Sequence, residues 1–297
     1  MFDDIKNIFK GNNFIGKIIV INAIVFVLYN ILAQFSPAIS TFFTNWISLP
    51  ASLWKFIFRP WTMLTYMFVH DGLGHIFFNM YILYIFGRIF GDFMGQQRLS
   101  GLFFLGGFGG GLAYMLVYNL LFLVGEMDSS MLQATSMVGA SAGVMAVVIA
   151  TGSRFGDHTM NLILIGPVKL KYVALFLFIT STLFNFMSNF GGNIAHIGGA
   201  FVGYFYIRQL EKGSDWAMAF NDRFERIMAM FEKKPKLRVV PDDGGYQRHS
   251  ASKNTQHSND RETQAKTDAI LDKISKAGYD NLTKEEKEHL FKLSKNK

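Results

Sequence analysis

Four polar side chains interrupt otherwise apolar runs of the chain: His75, Asn79, Ser141 and His196. Polar groups at membrane depth are costly, so each is a functional suspect. A serine hydroxyl is a poor nucleophile until a base takes its proton, and a neutral histidine is the usual base. Ser141 and His196 are candidates for those two roles. A tetrahedral oxyanion formed by serine attack needs donors in a low-dielectric site, where losing one costs about 3–4 kcal/mol of barrier. Asn79 offers an amide NH2, His75 a ring N–H, and Ser141 its backbone N–H at the mouth of a helix. His75 and Asn79 are four residues apart and share a helix face. No Asp or Glu lies within the apolar stretches, and Asp71 and Asp92 only flank the second. The expected mechanism is therefore a dyad without an orienting carboxylate. The chain has no cysteine, which removes a thiol nucleophile, disulfides and cysteine-ligated zinc.

Gly139-Ala140-Ser141-Ala142-Gly143 also fits the nucleophile elbow of soluble hydrolases, with Asp157 and His196 following in the right order. An elbow needs a strand, a sharp turn and a helix within an α/β sheet. The surrounding chain is bilayer-hydrophobic, and Asp157 is expected on the membrane side opposite His196, so the elbow reading fails.

The elements that must position these residues are apolar stretches of membrane-spanning character. The sequence is 50% hydrophobic and only 17% charged, less charge than a soluble domain carries. A spanning helix needs about 20 apolar residues. Stretches near that length run over Ile18–Phe35, Leu73–Phe90, Leu102–Val124, Val138–Gly152, Tyr172–Met187 and Ile194–Leu210. Lys6, Lys10, Lys17, Arg88, Arg98, Arg154, Lys169 and Lys171 fall on one side of this arrangement, against Lys55 and Arg59 on the other. The positive-inside rule then puts both termini in the cytoplasm. Spans two, four and six run outside to inside, and all four polar residues fall in their first or second turns, at a common depth. Gln133, Thr135 and Ser136 lead into a short fourth span, which suggests non-helical chain dipping into the bundle, tolerated where it lines a cavity. Gly199 and Gly203 share a face with His196 and allow close approach to the small-residue fourth span, Gly139 included.

Outside these stretches, residues 36–70 carry Trp46, Trp54, Trp61, Phe56 and Phe58, the composition of an interfacial element. Trp216, Phe220, Phe224, Ile227 and Phe231 make one apolar helix face, either on the membrane surface or packed on the protein. The expected organisation is a cytoplasmic segment at 1–16, the six-helix domain at 17–210, an amphipathic juxtamembrane helix at 211–234, a disordered linker at 235–265 and a small helical hairpin at 266–297. Thr283-Lys284-Glu285-Glu286 reads as a capping box opening the second hairpin helix. No cleavable signal peptide is evident, because the first apolar run is too long for one. The net charge of +7 sits at helix flanks and in the tail, without the interleaved aromatics of a nucleic-acid groove, so the expected partners are the lipid bilayer and no nucleic acid.

These residues resemble the rhomboid intramembrane serine proteases over about residues 15–210. The carrying motifs are His70-Asp-Gly-Leu-Gly-His75-Ile-Phe-Phe-Asn79, Gly139-Ala140-Ser141-Ala142 and Ala195-His196-Ile-Gly-Gly199-Ala-Phe-Val-Gly203. Arg59-Pro60-Trp61 and Thr65-Tyr66-Met67-Phe68-Val69-His70 resemble the first loop and span-two entry of bacterial members. The resemblance implies an all-α, six-transmembrane-helix bundle with a small helical cytoplasmic tail, in the cell's inner membrane. It implies Ser141 as nucleophile, His196 as base, and Asn79 with His75 at the oxyanion hole. His70, Trp61, Gly139, Gly199 and Gly203 are supporting. Single-pass membrane proteins are the implied substrates, cut near helix-unstable, small-residue sites, with no metal or cofactor. Two positions depart from the pattern of some members: Met145 stands where a tyrosine stacks on the histidine, and Thr62 follows the loop tryptophan. The alternatives are an inactive relative that binds clients, and a metal or proton transporter using His70, His75 and His196, for which no intramembrane carboxylate is available.

Overall fold

The computed structural model describes residues 13–162, 165–183, 189–231, 267–276 and 281–295. The chain divides into two compact units, residues 1–233 and 234–297.

The first unit is a helical bundle. Helix α1 (Phe14–Phe35) is capped by Asn13, whose side chain accepts from the Gly16 N–H at 2.9 Å. Residues 36–70 fold as α2 (Pro37–Ile47), strand β1 (Leu49–Pro50), α3 (Leu53–Ile57), α4 (Thr62–Thr65) and a 3-10 turn at Tyr66–Phe68. Then come α5 (Leu73–Met94), α6 (Gln96–Leu123), the short α7 (Ser129–Ala134), strand β2 (Ser136–Met137), α8 (Ser141–Arg154), a hairpin of β3 (Thr159–Leu162) and β4 (Gly166–Lys169), α9 (Leu170–Leu183), α10 (Phe190–Glu211) and α11 (Trp216–Phe231). Among the described residues, α1 over Phe14–Leu32, α5 and α6 are long and apolar enough to cross a membrane on length and composition alone, and α8 and α9 are shorter apolar helices.

Small residues dictate the packing, as expected where no hydrophobic force drives helices together. A Cβ at Gly199 would collide with the Ala142 carbonyl and one at Gly203 with the Ala146 carbonyl. The matching steps along α10 and α8 mean that the two run parallel. Gly106 and Gly110 of α6 meet Ala146 and Ala142 in the reverse order, so α6 is antiparallel to both. Helix α8 is the central element, buried almost continuously from Ala142 to Gly152.

Lys17, Arg88, Arg98, Arg154, Lys169 and Lys171 share one end of this bundle, and Lys55 and Arg59 lie at the other. The Phe14 N–H donates to Gln96 Oε1 at 3.1 Å, joining the starts of α1 and α6. Phe93 and Phe155 pack rings at 4.8 Å, joining the ends of α5 and α8. Arg98 binds Asp215, just past α10, at 2.7 Å.

Several expected boundaries shift. Helix α1 starts at Phe14 and takes in Lys17, because the Asn13 cap, not hydropathy, sets its origin. Helix α5 runs past Phe90 to Met94, stopped by Gly95 at φ 90°. Asp92 is thus inside it, paired with Arg88 one turn back at 3.7 Å, so acidic residues are not wholly outside the helices. Val138–Ala140 are non-helical, and the expected fifth span reaches Met187, outside the described residues, as does the whole 235–265 linker.

In the second unit, a helix at 267–276 and another at Lys284–Lys295 bury Ile270 and Leu282. The capping box forms: the Thr283 N–H donates to Glu286 Oε2 at 2.8 Å, and the Glu286 N–H to Thr283 Oγ1 at 3.3 Å. Lys273 bridges the helices to Glu286 at 2.9 Å.

Candidate active site

Ser141 is the first residue of α8, and its depth follows from helix length. Fourteen residues make a helix of about 21 Å, short of the ~30 Å hydrocarbon core. The remaining distance is covered by non-helical chain. Strand β2 pairs antiparallel with β1, Leu49 against Met137 and Pro50 against Ser136. The Ala51 N–H donates to the Thr135 carbonyl at 3.0 Å and the Gly139 N–H to the Tyr66 carbonyl at 2.9 Å. These bonds satisfy a backbone that the bilayer could not. Gly139 has φ 127°, and a Cβ there would lie 2.9 Å from His75 Cε1 and Nε2 and 3.7 Å from Ser141 Oγ. Glycine is thus required both by the backbone and by the His75 ring.

His75 sits in the first turn of α5, beside that glycine. Its Nδ1 accepts, at 3.4 Å, from the Asp71 backbone N–H. An occupied Nδ1 places the ring proton on Nε2, the nitrogen facing Gly139. Asn79 is buried; its amide donates to the His75 carbonyl at 2.9 Å, leaving its second N–H for another acceptor. His70 is buried and packs edge-on against His75 at 4.9 Å.

His196 lies in the second turn of α10 and is buried. The α8–α10 register, with Gly199 at Ala142, brings it level with Gly139. The Ser181 backbone approaches the ring, but among the described residues Nδ1 has no hydrogen-bond partner. Ser141, His196, His75, Asn79 and Met145 all line one cavity of about 1070 Å³. Its walls come from α5 (Phe78, Ile82), α8 (Val144, Val148), α9 (Leu177, Thr180, Ser181) and the start of α10 (Asn189–Gly192). Among the described residues no direct hydrogen bond joins Ser141 to His196.

Trp61 does not line this cavity. Its ring stacks on Trp46 at 5.7 Å, its Nε1–H donates to the Trp46 carbonyl at 2.9 Å, and the Arg59 guanidinium covers Trp46 at 4.7 Å. It anchors the segment that carries β1. Thr62 donates to the Arg59 carbonyl at 2.6 Å, closing the turn beneath. Asp157 is at the basic end, bound to Lys171 at 2.9 Å and Lys169 at 3.1 Å, and cannot orient His196.

Sequence reasoning passed over Tyr114. It is buried in mid-α6, lines the cavity, and its hydroxyl has no partner among the described residues. The cost of polar groups inside a span was the signal that could have found it. The Asp71 N–H and the Tyr66 carbonyl had no such signal, because backbone groups carry no residue identity.

Residues 58–212 match the model of the rhomboid domain. That is more than half of the chain, and it holds every site residue named above. The chain belongs to the rhomboid family. It is a mostly helical, multi-pass membrane protein of a family of intramembrane proteases. This rhomboid is 29% identical over 161 residues to RHOMBOID-like protein 12, mitochondrial, of Arabidopsis thaliana, which covers 52% of the chain and 48% of the relative. It is 24% identical over 213 residues to the presenilin-associated rhomboid-like protein, mitochondrial, of Homo sapiens, covering 68% of the chain and 49% of the relative. The chain thus spans about half the length of these curated relatives, and they are mitochondrial proteins of plants and primates, not bacterial ones. Residues 255–296 match a second model, a family of unknown function designated DUF6576.

Proposed function

We propose that this rhomboid is an active intramembrane serine endopeptidase. The observation that carries the reading is the convergence of Ser141, His196, His75 and Asn79, from three separate helices, on one cavity of about 1070 Å³. Ser141 Oγ attacks the scissile carbonyl carbon while His196 takes its proton. The oxyanion is received by the Ser141 backbone N–H, the free Asn79 N–H and His75 Nε2–H. His196 then returns the proton to the departing amine, and water admitted through the polar end of the cavity hydrolyses the acyl-enzyme. No metal or cofactor has a part in this chemistry.

The absent Ser141–His196 bond is consistent with an apo site, since such bonds often tighten only when substrate arrives. The same observation is what favours the second reading, a client-binding rhomboid that does not cut. A metal transporter is disfavoured because among the described residues no three His, Asp or Glu side chains converge as ligands.

Six crossings are proposed: α1, α5, α6, α8, α9 and α10, with both termini on the basic, cytoplasmic side. Single-pass membrane proteins are the proposed substrates. Purified protein in lipid, treated with a serine-directed fluorophosphonate, is expected to label, and Ser141→Ala to abolish the label. Absence of labelling in the wild-type chain supports the client-binding reading; labelling that survives the substitution excludes Ser141 as nucleophile.

A further inference from the structure

Helix α11 divides into three longitudinal strips, each with its own environment. The first faces α6. Ala217 is fully buried at Gly101, where a Cβ would press into its backbone. Asn221 donates to the Gln97 carbonyl at 2.6 Å and Ser100 Oγ at 3.1 Å. Arg98 and Tyr206 both bind Asp215, whose carboxylate also accepts the Met218 N–H at 3.1 Å. This strip pins the helix to the basic end of the bundle.

The second strip is Trp216, Phe220, Phe224 and Ile227, spaced to share one helix face. Phe220 packs on Phe104 at 6.4 Å and Phe108 at 5.7 Å and stacks with Phe224 at 6.3 Å. Phe108 is about 18 Å along α6 from Gln96 at 1.5 Å per residue, so Phe220 reaches hydrocarbon depth. On either side of it the row lies open: Trp216 is 40%, Phe224 47% and Ile227 54% exposed. The third strip, opposite this row, carries Asp222 and Glu225, with Arg226 and Arg223 on the flank between them.

We propose that α11 is an in-plane membrane anchor, its Trp216–Phe220–Phe224–Ile227 row lying in the acyl-chain boundary of the leaflet at the basic end of the bundle. The occupant of the open face is phospholipid because the row continues, ring against ring, from the lipid-facing side of a spanning helix. The charge pattern agrees: Arg223 and Arg226 lie beside the buried row, where long side chains reach phosphate, and the acids point to water. Two membrane signals in series, a docked end and an inserted row, hold α11 at the bilayer surface. The inference needs only that the bundle crosses a membrane, not that Ser141 cuts.

The chain has no cysteine, so single nitroxides on the full chain in bilayers are unambiguous. Phe224→Cys and Ile227→Cys are expected to show high oxygen and low nickel-chelate accessibility, and Asp222→Cys the reverse. Chelate-accessible labels at 224 and 227 would place the row in water and overturn the proposal. Labels shielded from both reagents would mean protein covers the row, a second copy or the C-terminal unit, and would overturn it equally. Wild-type chain reconstituted with a phospholipid carrying a photoactivatable acyl chain supplies a check without substitution. Cross-links on the 224–227 peptide support insertion. Their absence, with α5 peptides cross-linked in the same sample, refutes it.

Discussion

The two ends of the bundle treat polar groups in opposite ways. At the basic end they are matched within the protein: Arg98 and Tyr206 share Asp215, Lys169 and Lys171 share Asp157, and Asn221 closes on Gln97 and Ser100. At the other end Asn79, Trp61 and Arg59 find partners, but several buried groups around the cavity do not. The nitrogens of His70, Nδ1 of His196 and the hydroxyl of Tyr114 are buried without a well-formed hydrogen bond among the described residues, although the Phe68 and Ser181 backbones approach the two rings. Unmatched buried groups cost stability and persist where another need holds them. The backbone differs in the same sense. The basic end turns through Gly95 alone between α5 and α6 and closes its β3–β4 hairpin locally in sequence, whereas the site end pairs β1 with the distant β2 and sets a glycine at φ 127° just before Ser141. One end is closed by matched pairs, and the other keeps a cavity of about 1070 Å³ lined in part by unmatched groups.

The comparison fails if a tight helix contact near the site proves to be ordinary packing. Gly199→Val tests this most severely. Its side chain would drive into the Ala142 carbonyl, parting α10 from α8 and carrying His196 away from Ser141. Misplacement by about 1 Å costs on the order of a hundredfold in rate, so phosphonate labelling should fall at least that far, with thermal stability reduced as well. A fall in stability alone, with the labelling rate of the folded fraction intact, would make Gly199 a packing residue only.

Asn79→Ala comes next and should separate chemistry from folding. It removes the proposed oxyanion donor and one bond within its own helix, at 2.9 Å. Turnover of a membrane-anchored peptide is expected to drop about a hundredfold, or ~2.7 kcal/mol of barrier. The thermal midpoint should move little, because the His75 carbonyl retains its helical partner. Unchanged turnover would remove Asn79 from the site.

How far the sequence alone reaches follows the same division. Ser141, His196, His75 and Asn79 could be singled out because each breaks an apolar run, and helix period and topology place them at one depth. The motif glycines were readable for the same reason: a helix contact in lipid selects small residues. What stayed hidden is long-range and backbone-borne. The pairing of Pro50 with Ser136, the Tyr66 carbonyl under Gly139 and the docking of Ala217 on Gly101 join segments far apart in the chain. The start of α8 at Ser141, not Val138, is likewise set by such pairing, since hydropathy is continuous across it.

At the basic end the expected effects are on stability. Asp215→Ala breaks the bonds from Arg98, Tyr206 and the Met218 N–H. Arg98 is 41% exposed, so solvent takes up part of the loss, and the cost is about 1–2 kcal/mol. The check is a lowered thermal midpoint in lipid with an unchanged Ser141 labelling rate at low temperature. A slowed rate there would mean that the two ends are coupled and the division above too sharp.

Asp157→Asn should be the mildest change, and pH gives it a signature. The Lys171 and Lys169 ammonium groups hold the Asp157 carboxyl down to about 2, against about 3.9 for an unperturbed aspartate. A carboxyl lowered on folding stabilises the native state above its unfolded pKa, and that contribution is lost as pH falls through the folded value. Wild type should therefore be slightly more stable than the variant at neutral pH, the difference fading from about pH 4 and vanishing below about 2. With 78% of the Asp157 side chain in solvent, salt should screen the difference as well. A variant whose thermal midpoint stays below wild type at pH 2, or whose phosphonate labelling changes at neutral pH, would show that Asp157 does more than tie the β3–β4 hairpin to the start of α9.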